Sequence, residues 1–306
     1  VSFSPFIVKT PASTANLGPG FDSIGLALPI YQTIAAAPAE KLSISYSQYD
    51  YHHLPTDESN LILKTIRQIS VKSGKVCPGA ELTVRSEIPL SKGLGSSAAA
   101  IAAGIVIADR LMKLELSLDH QIRLASEIEG HPDNVSASLA GGLTVSRFDD
   151  EGLSSVSLPA KGFSVIIMAP DSELETKESR GVLPANLTHG DAVLASAAAN
   201  VMVAALITGE FQKAGQVMMK DTFHEPYRRT FFPNLDDIKK FACENGAFAV
   251  TISGAGPCIS IFAEDAKVSA VYNLIKNKYA GYQAIKLKPS NQGTLCTEHH
   301  LNRLSV

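Results

Sequence analysis

Between Leu94 and Lys113 the chain shows almost no polar face until Asp109 and Arg110, and much of the segment is alanine. Alanine is the strongest helix former, and a helix that is apolar nearly all round has to be covered nearly all round. The segment therefore predicts a central, buried helix. Leu94 to Ala108 stands out as the longest uncharged apolar stretch, 15 residues, short of the roughly 18 to 20 that a membrane span needs. The chain can cover such a helix. Of its 306 residues 45% are hydrophobic and 19% charged, enough apolar surface for two modest domains or one large one, with no like-charged block to mark a disordered tail.

Around this helix the patterning switches between two periods. From Phe6 to Tyr49 short apolar or alternating runs are separated by Pro, Gly and Asn, which predicts strands joined by turns. Asn60 to Ser73 has helical spacing after the cap-like residues Asp57 to Ser59, Ala80 to Ile88 alternates as a strand, and Leu118 to Glu129 reads as an amphipathic helix. Leu143 to Phe148 returns to a strand, and the polar turn at Asp149 to Gly152 marks a boundary between domains at 1–155 and 156–306. The second half predicts strands at 164–169, 247–253 and 258–263, with helices near 192–207, 235–245 and 265–278. Strands and helices do not alternate strictly, so the fold class is α+β with antiparallel pairing and not a doubly wound parallel sheet.

Three segments look chemical. The central helix is entered through Pro89-Leu-Ser-Lys-Gly-Leu-Gly-Ser-Ser-Ala-Ala99. The start of a helix presents unpaired N–H groups and about half a positive charge, worth roughly 0.3 to 2 kcal/mol to an anion. Glycines let a phosphate approach, Ser96 and Ser97 add hydroxyls for phosphate or magnesium, and Lys92 adds a charge at the entrance. The plainer reading is a turn that caps a core helix. No Gly-Lys-Ser or Gly-Lys-Thr step occurs, which excludes a Walker A loop. Gly93-x-Gly95-x-x-Ala98 fits a permissive dinucleotide fingerprint, but Ile88 to Lys92 replaces the strand that should precede it. The other two segments are Pro11 to Asp22, read as a loop holding Asn16 and a carboxylate, and the tight turn Thr251 to Pro257. Each alone could be an ordinary turn.

Together the three segments resemble the signature motifs of the GHMP kinases, which phosphorylate small metabolites with ATP. Pro11 to Asp22, Asp57 to Leu61, Pro89 to Ala99, Glu127 to Asn134, Gly141-Gly142, Thr176 to Pro184 and His224 to Arg228 are similar to the homoserine kinases among them, over essentially the whole length. The resemblance implies a ribosomal-protein-S5-like nucleotide-binding domain followed by a ferredoxin-like α/β sandwich domain. It also implies ATP and Mg²⁺ as cofactors. Pro89, Lys92, Gly93, Leu94, Gly95, Ser96, Ser97 and Ala98 would hold the triphosphate, Asn60 the adenine, and Ser97 with Glu127 the magnesium, Glu129 being the competing ligand. For L-homoserine it implies Asp22 with Asn16 at the ammonium and Arg180 with Arg228 at the carboxylate, a group that arginine recognises by paired hydrogen bonds. His131, Asn134, Thr176 and Gly254 would line the remainder. Asn134 would orient the hydroxyl, with Asp133 as a base or a support. A kinase for another small alcohol, such as mevalonate or shikimate, and an ATP-binding relative without turnover are the competing readings.

The net charge of −3 leaves no basic excess for a nucleic-acid backbone. Four cysteines, at 77, 243, 258 and 296, form no Cys-x-x-Cys pair and read as reduced thiols. The segment Val1 to Gly20 has no apolar run of signal-peptide type. A cytoplasmic protein without membrane or nucleic-acid partners is expected, and the resemblance adds a homodimer.

Overall fold

The computed structural model describes residues 3–48 and 51–298. Tyr49, the end of the first predicted strand region, and the outer ends of the two predicted domains, 1–2 and 299–306, lie outside the described residues. The strands are β1 (Phe6–Asn16), β2 (Gly20–Pro38), β3 (Ser43–Tyr46), β4 (Ala80–Ser86), β5 (Leu143–Asp149), β6 (Gly152–Leu158), β7 (Phe163–Pro170), β8 (Ala247–Ile252), β9 (Ile259–Glu264), β10 (Tyr282–Leu287) and β11 (Leu295–Glu298). The helices are α1 (Leu61–Ser73), α2 (Ser96–Met112), α3 (Leu118–Glu129), α4 (Asp133–Ala140), α5 (Thr176–Gly181), α6 (His189–Thr208), α7 (Phe211–Met218), α8 (Glu225–Arg228), α9 (Leu235–Glu244) and α10 (Val268–Lys278).

The first sheet runs β11-β1-β2-β4-β3, with β5 pairing β2 and β6 pairing β5. Only the β3–β4 pair is parallel among the described strands. One core lies between this sheet and α1, α2, α3 and α4, and α2 contributes to it along nearly its whole length, as its composition requires. The second sheet runs β10-β7-β9-β8, all antiparallel. Counted from β7 that is the order 4-1-3-2 of a split β-α-β arrangement, in agreement with the α+β expectation. Both faces of this sheet are covered. Val165 and Ile167 of β7 enter a core shared between the two halves with Leu26, Phe248 and Phe262, while Ile166 and Met168 face α9 and α10. Alternate residues enter different cores, so the strand reads as an uninterrupted apolar run.

Four expectations are corrected. Pro11 to Asn16 is not a loop: it continues β1 and pairs with β2 through Ser13↔Ala27 and Thr14↔Leu26. The hairpin of β5 and β6 runs from Asp149↔Gly152 to Leu143↔Leu158, so a boundary at 155 cuts a paired strand. The two halves are also not consecutive stretches, because β11 returns to the first sheet and pairs β1. The chain thus passes between the halves twice, near Ala160 and near Asn291, and the passes touch. The Ala160 N–H donates to Asn291 Oδ1 at 2.8 Å, and Asn291 Nδ2 donates to the Ala160 carbonyl at 3.1 Å. Finally, among the described helices the longest apolar one is α6 and not α2. By length and composition alone α6 could cross a membrane. Here it packs through Ala195, Met202, Ala205 and Leu206 and leaves Val193, Leu194, Val201 and Ile207 exposed.

Candidate active site

A cleft of about 950 Å³ opens between the halves, lined by residues from every segment that looked chemical in the sequence. Its floor is the turn leading into α2. There the carbonyls point into the protein: Ser91 O accepts from Leu174 N–H at 3.4 Å, Lys92 O from Cys258 N–H at 3.2 Å, and Leu94 O from Ser13 N–H at 3.1 Å. Gly93 O accepts from Ser253 Oγ at 2.7 Å. The backbone N–H groups from Lys92 to Ala98 have no hydrogen-bond partner among the described residues. A row of free donors at the mouth of a 17-residue helix is a cradle for an anion. The glycines are required by space. Gly93 and Gly95 have φ of 73° and 68°, and a Cβ would fall 2.3 Å from Ser253 O at the first and 2.4 Å from Ser13 Oγ at the second.

Several residues that the sequence placed on ATP have other duties. The Lys92 ammonium donates to the carbonyls of Pro170, Asp171 and Ser172 at 2.8, 2.8 and 2.7 Å, which uses all three of its protons. The Asn60 amide is also fully used. It caps α1 by accepting from the N–H groups of Ile62 and Leu63, and donates to Tyr46 Oη and Pro55 O. Asn60 therefore shapes the far end of the cleft, where the Tyr46 and Tyr51 rings stack 6.4 Å apart, and has no edge left for a base. Ala98 is buried and is not among the residues that line the cleft. Pro89, Ser96 and Ser97 line the cleft.

Of the two glutamates considered beside Ser97, the structure brings Glu129 to it and not Glu127. Ser97 Oγ donates to Glu129 Oε1 at 2.6 Å inside the cleft. Glu127 lies outside it and pairs with Lys72 and Arg123, the hydrogen bond from Lys72 above all holding its carboxyl below the usual range. Helix geometry is the reason, since residues two apart on a helix point to nearly opposite sides. Only one of the two glutamates on α3 can meet Ser97.

At the other end of the cleft, charges are matched against each other. Arg180 grips Asp22 through Nη1 to Oδ2 at 3.0 Å and Nη2 to Oδ1 at 2.6 Å, and this pairing raises the Arg180 pKa. Arg228 is buried. Its Nε donates to Ser179 O at 3.1 Å and its Nη1 to Gly254 O at 3.0 Å and to His224 Nδ1 at 3.1 Å; Nη2 has no partner among the described residues, and Arg228 lines the cleft. Burial, with the field of Arg180 added, lowers its pKa to about 10. Both guanidinium carbons stand 5.5 Å from the Phe21 ring. Asn16 and Gly254 also line this end. Asn16 accepts from the Asp22 N–H and donates to Gly254 O, each at 3.1 Å. Asn16, Leu17 and Asp22 have φ of 71°, 50° and 53°. Left-handed backbone at residues other than glycine is costly, and it gathers where function needs a fixed geometry.

Between the two ends, α4 begins with Asp133 and Asn134. Asp133 Oδ1 takes the Asn134 N–H at 2.7 Å and lies 2.5 Å from His131 Nδ1. Burial opposes a charge on His131, but the hydrogen bond and field of Asp133 outweigh it and raise its pKa. Asn134 Nδ2 donates to Ser13 Oγ at 2.9 Å, which directs the amide along the cleft. Thr176 lines the cleft from the start of α5. The sequence reading missed His224, Ser13 and Ser253, which hold the functional groups from behind. All three lie in or beside the motif segments, and that proximity was the available signal.

Residues 60–142 match the GHMP kinases N terminal domain and residues 202–281 the GHMP kinases C terminal domain. A homoserine kinase of Bacillus cereus (strain AH820) is 40% identical over 302 residues, 97% of this chain and 99% of that one. The crystal structure of homoserine kinase from Cytophaga hutchinsonii superposes with a TM-score of 0.86 at 28% identity, covering 97% of this chain and 98% of that one. The Streptococcus pneumoniae phosphomevalonate kinase shares the fold at a TM-score of 0.75 and 16% identity, covering 94% of this chain and all of that one. With motifs, cleft and full-length similarity in agreement, the chain belongs to the homoserine kinase family of the GHMP kinases.

Proposed function

We propose that this protein transfers the γ-phosphoryl group of ATP to the side-chain hydroxyl of L-homoserine, releasing ADP and O-phospho-L-homoserine for threonine synthesis. The observation that carries the reading is one cleft with a row of free amides at one end and Asp22, Arg180 and Arg228 at the other. The first suits a polyphosphate and the second a zwitterion. Homoserine enters by partner exchange: its ammonium takes Asp22, and its carboxylate takes Arg180 and the unbonded Nη2 of Arg228. Mevalonate has a carboxylate but no ammonium and leaves Asp22 unmatched.

Ser97 and Glu129 fit a magnesium ion, being two hard oxygen donors 2.6 Å apart at the mouth of α2. They would hold it there, and when bound it supplies neutralising charge on the phosphate oxygens. The chain's own part is alignment. The amides of 92–98 hold the phosphates, and Asn134, its Nδ2 tied to Ser13, presents Oδ1 to the acceptor hydroxyl. A loose transition state needs little prior deprotonation, so Asp133 serves to hold His131 and the start of α4.

We place this kinase in the cytoplasm, and the exposed apolar residues of α6 suit a homodimer. ADP release measured with L-homoserine, mevalonate and shikimate decides the substrate. Turnover no faster with homoserine than with the other two overturns the reading.

A further inference from the structure

Lys92 lies in the anion-binding turn yet spends its charge elsewhere. Three successive carbonyls, Pro170, Asp171 and Ser172, converge on its Nζ at 2.7–2.8 Å. Carbonyl dipoles aimed at one point repel each other unless a cation stands at the focus. The stretch that carries them leaves the end of β7, and two residues on the Leu174 N–H donates to Ser91 O. The turn is fastened on its other sides by Cys258, Ser253 and Ser13. Lys92 closes the remaining side.

We propose that Lys92 is a positioning residue, a built-in cation that docks the end of β7 onto the turn and so fixes the amides of 92–98, and is not itself a phosphate ligand. The proposal rests on reading that turn as the ATP site. Removing the ammonium but keeping the stem should leave a carbonyl triad that a free ammonium ion can refill, since the ion offers the same N–H donors.

The test is Lys92→Met, with Lys92→Gln in its place should the methionine variant not accumulate folded. Hydrogen exchange of the Leu174 and Cys258 amides, which donate to the carbonyls of Ser91 and Lys92 in the turn, is measured first without nucleotide. Exchange in the variant should be about tenfold faster, the scale of losing one charged hydrogen bond. Ammonium chloride should slow it again, and tetramethylammonium chloride at equal ionic strength, having no N–H, should not. In turnover the KM for ATP should rise about tenfold and recover with ammonium, while that for homoserine stays within about twofold. A raised KM for ATP with unchanged nucleotide-free exchange means that Lys92 touches the phosphates, and overturns the proposal. So does faster exchange that ammonium fails to reverse. The exchange arm needs no catalysis, so a wild-type protein without kinase activity would sink the functional reading and leave this one standing or falling separately.

Discussion

Replacing Glu129 and Glu127 in parallel by glutamine separates the two glutamates of α3 by what their positions allow. Glu129 meets Ser97 in the cleft, and Glu129→Gln removes a charged oxygen donor from the proposed magnesium site. Even partners one step removed from a metal change affinity or activity by about 10- to 100-fold, so the magnesium midpoint should rise by at least about tenfold. Glu127 faces away, its side chain 28% exposed and paired with Lys72 and Arg123. Pairs of this exposure contribute about 0 to 1 kcal/mol, so Glu127→Gln should leave the magnesium titration and turnover as they were. Its effect is on stability and depends on pH. The Glu127 carboxyl is held below its ordinary range, chiefly by the Lys72 hydrogen bond, so the stabilisation is present above the unfolded value of about 4.3 and is lost as pH falls through the folded value. Wild type should melt slightly higher than Glu127→Gln at pH 7, and the difference should vanish in acid. The assay is coupled ADP release across a magnesium series, with thermal melts at pH 7 and below 4. A shifted midpoint in Glu127→Gln together with an unmoved one in Glu129→Gln would refute the helix-face argument.

Three further outcomes follow from the cleft. Arg180→Ala should raise the homoserine KM by about 10- to 100-fold, the equivalent of roughly 1.5–3 kcal/mol for a charged hydrogen bond, with the ATP KM nearly unchanged; equal rises in both would remove Arg180 from the acceptor end. Gly93→Ala forces a left-handed φ costing about 1–2 kcal/mol and sets a Cβ 2.3 Å from Ser253 O. ATP binding measured by calorimetry should collapse, and near wild-type affinity would show that the turn tolerates reshaping. Burial lowers the pKa of His224, which accepts from Arg228 at Nδ1 and so carries its proton on Nε2, donating to Gly18 O. The unfolded chain then binds the proton more readily, so this group costs stability as pH falls below the ordinary histidine value of about 6.5. Melting between pH 5 and 7 should be flatter in His224→Gln, and an equal slope in both proteins would count against a neutral His224.

Periodicity revealed elements whose two faces differ or whose whole length is apolar. Leu118–Glu129 was readable to the residue, and α2 nearly so. The short α4 was not. Its Ser136 and Ser138 are fully buried, Ser136 bonding Thr144 and Ser146 within the protein, so a polar sequence here signals a core network and not a surface loop. The motif segments did converge on one cleft, but the duties within it were obscured by neighbours distant in sequence. A lysine beside two glycines suggests a phosphate contact until Pro170, Asp171 and Ser172 are seen to take its protons. Asn60 is a helix cap in the same manner. Of two glutamates on one helix, only the direction of the helix tells which one enters.

The double passage of the chain between its halves has a mechanical consequence. Two neighbouring straps, laced together by the Asn291 amide across Ala160, define an axis where a single linker would leave a swivel. Sliding or twisting of one half against the other would have to tear that lacing or pull β11 from β1. Rotation about the straps would in turn open the core that the halves share, so both covers of the cleft are kept in a single register.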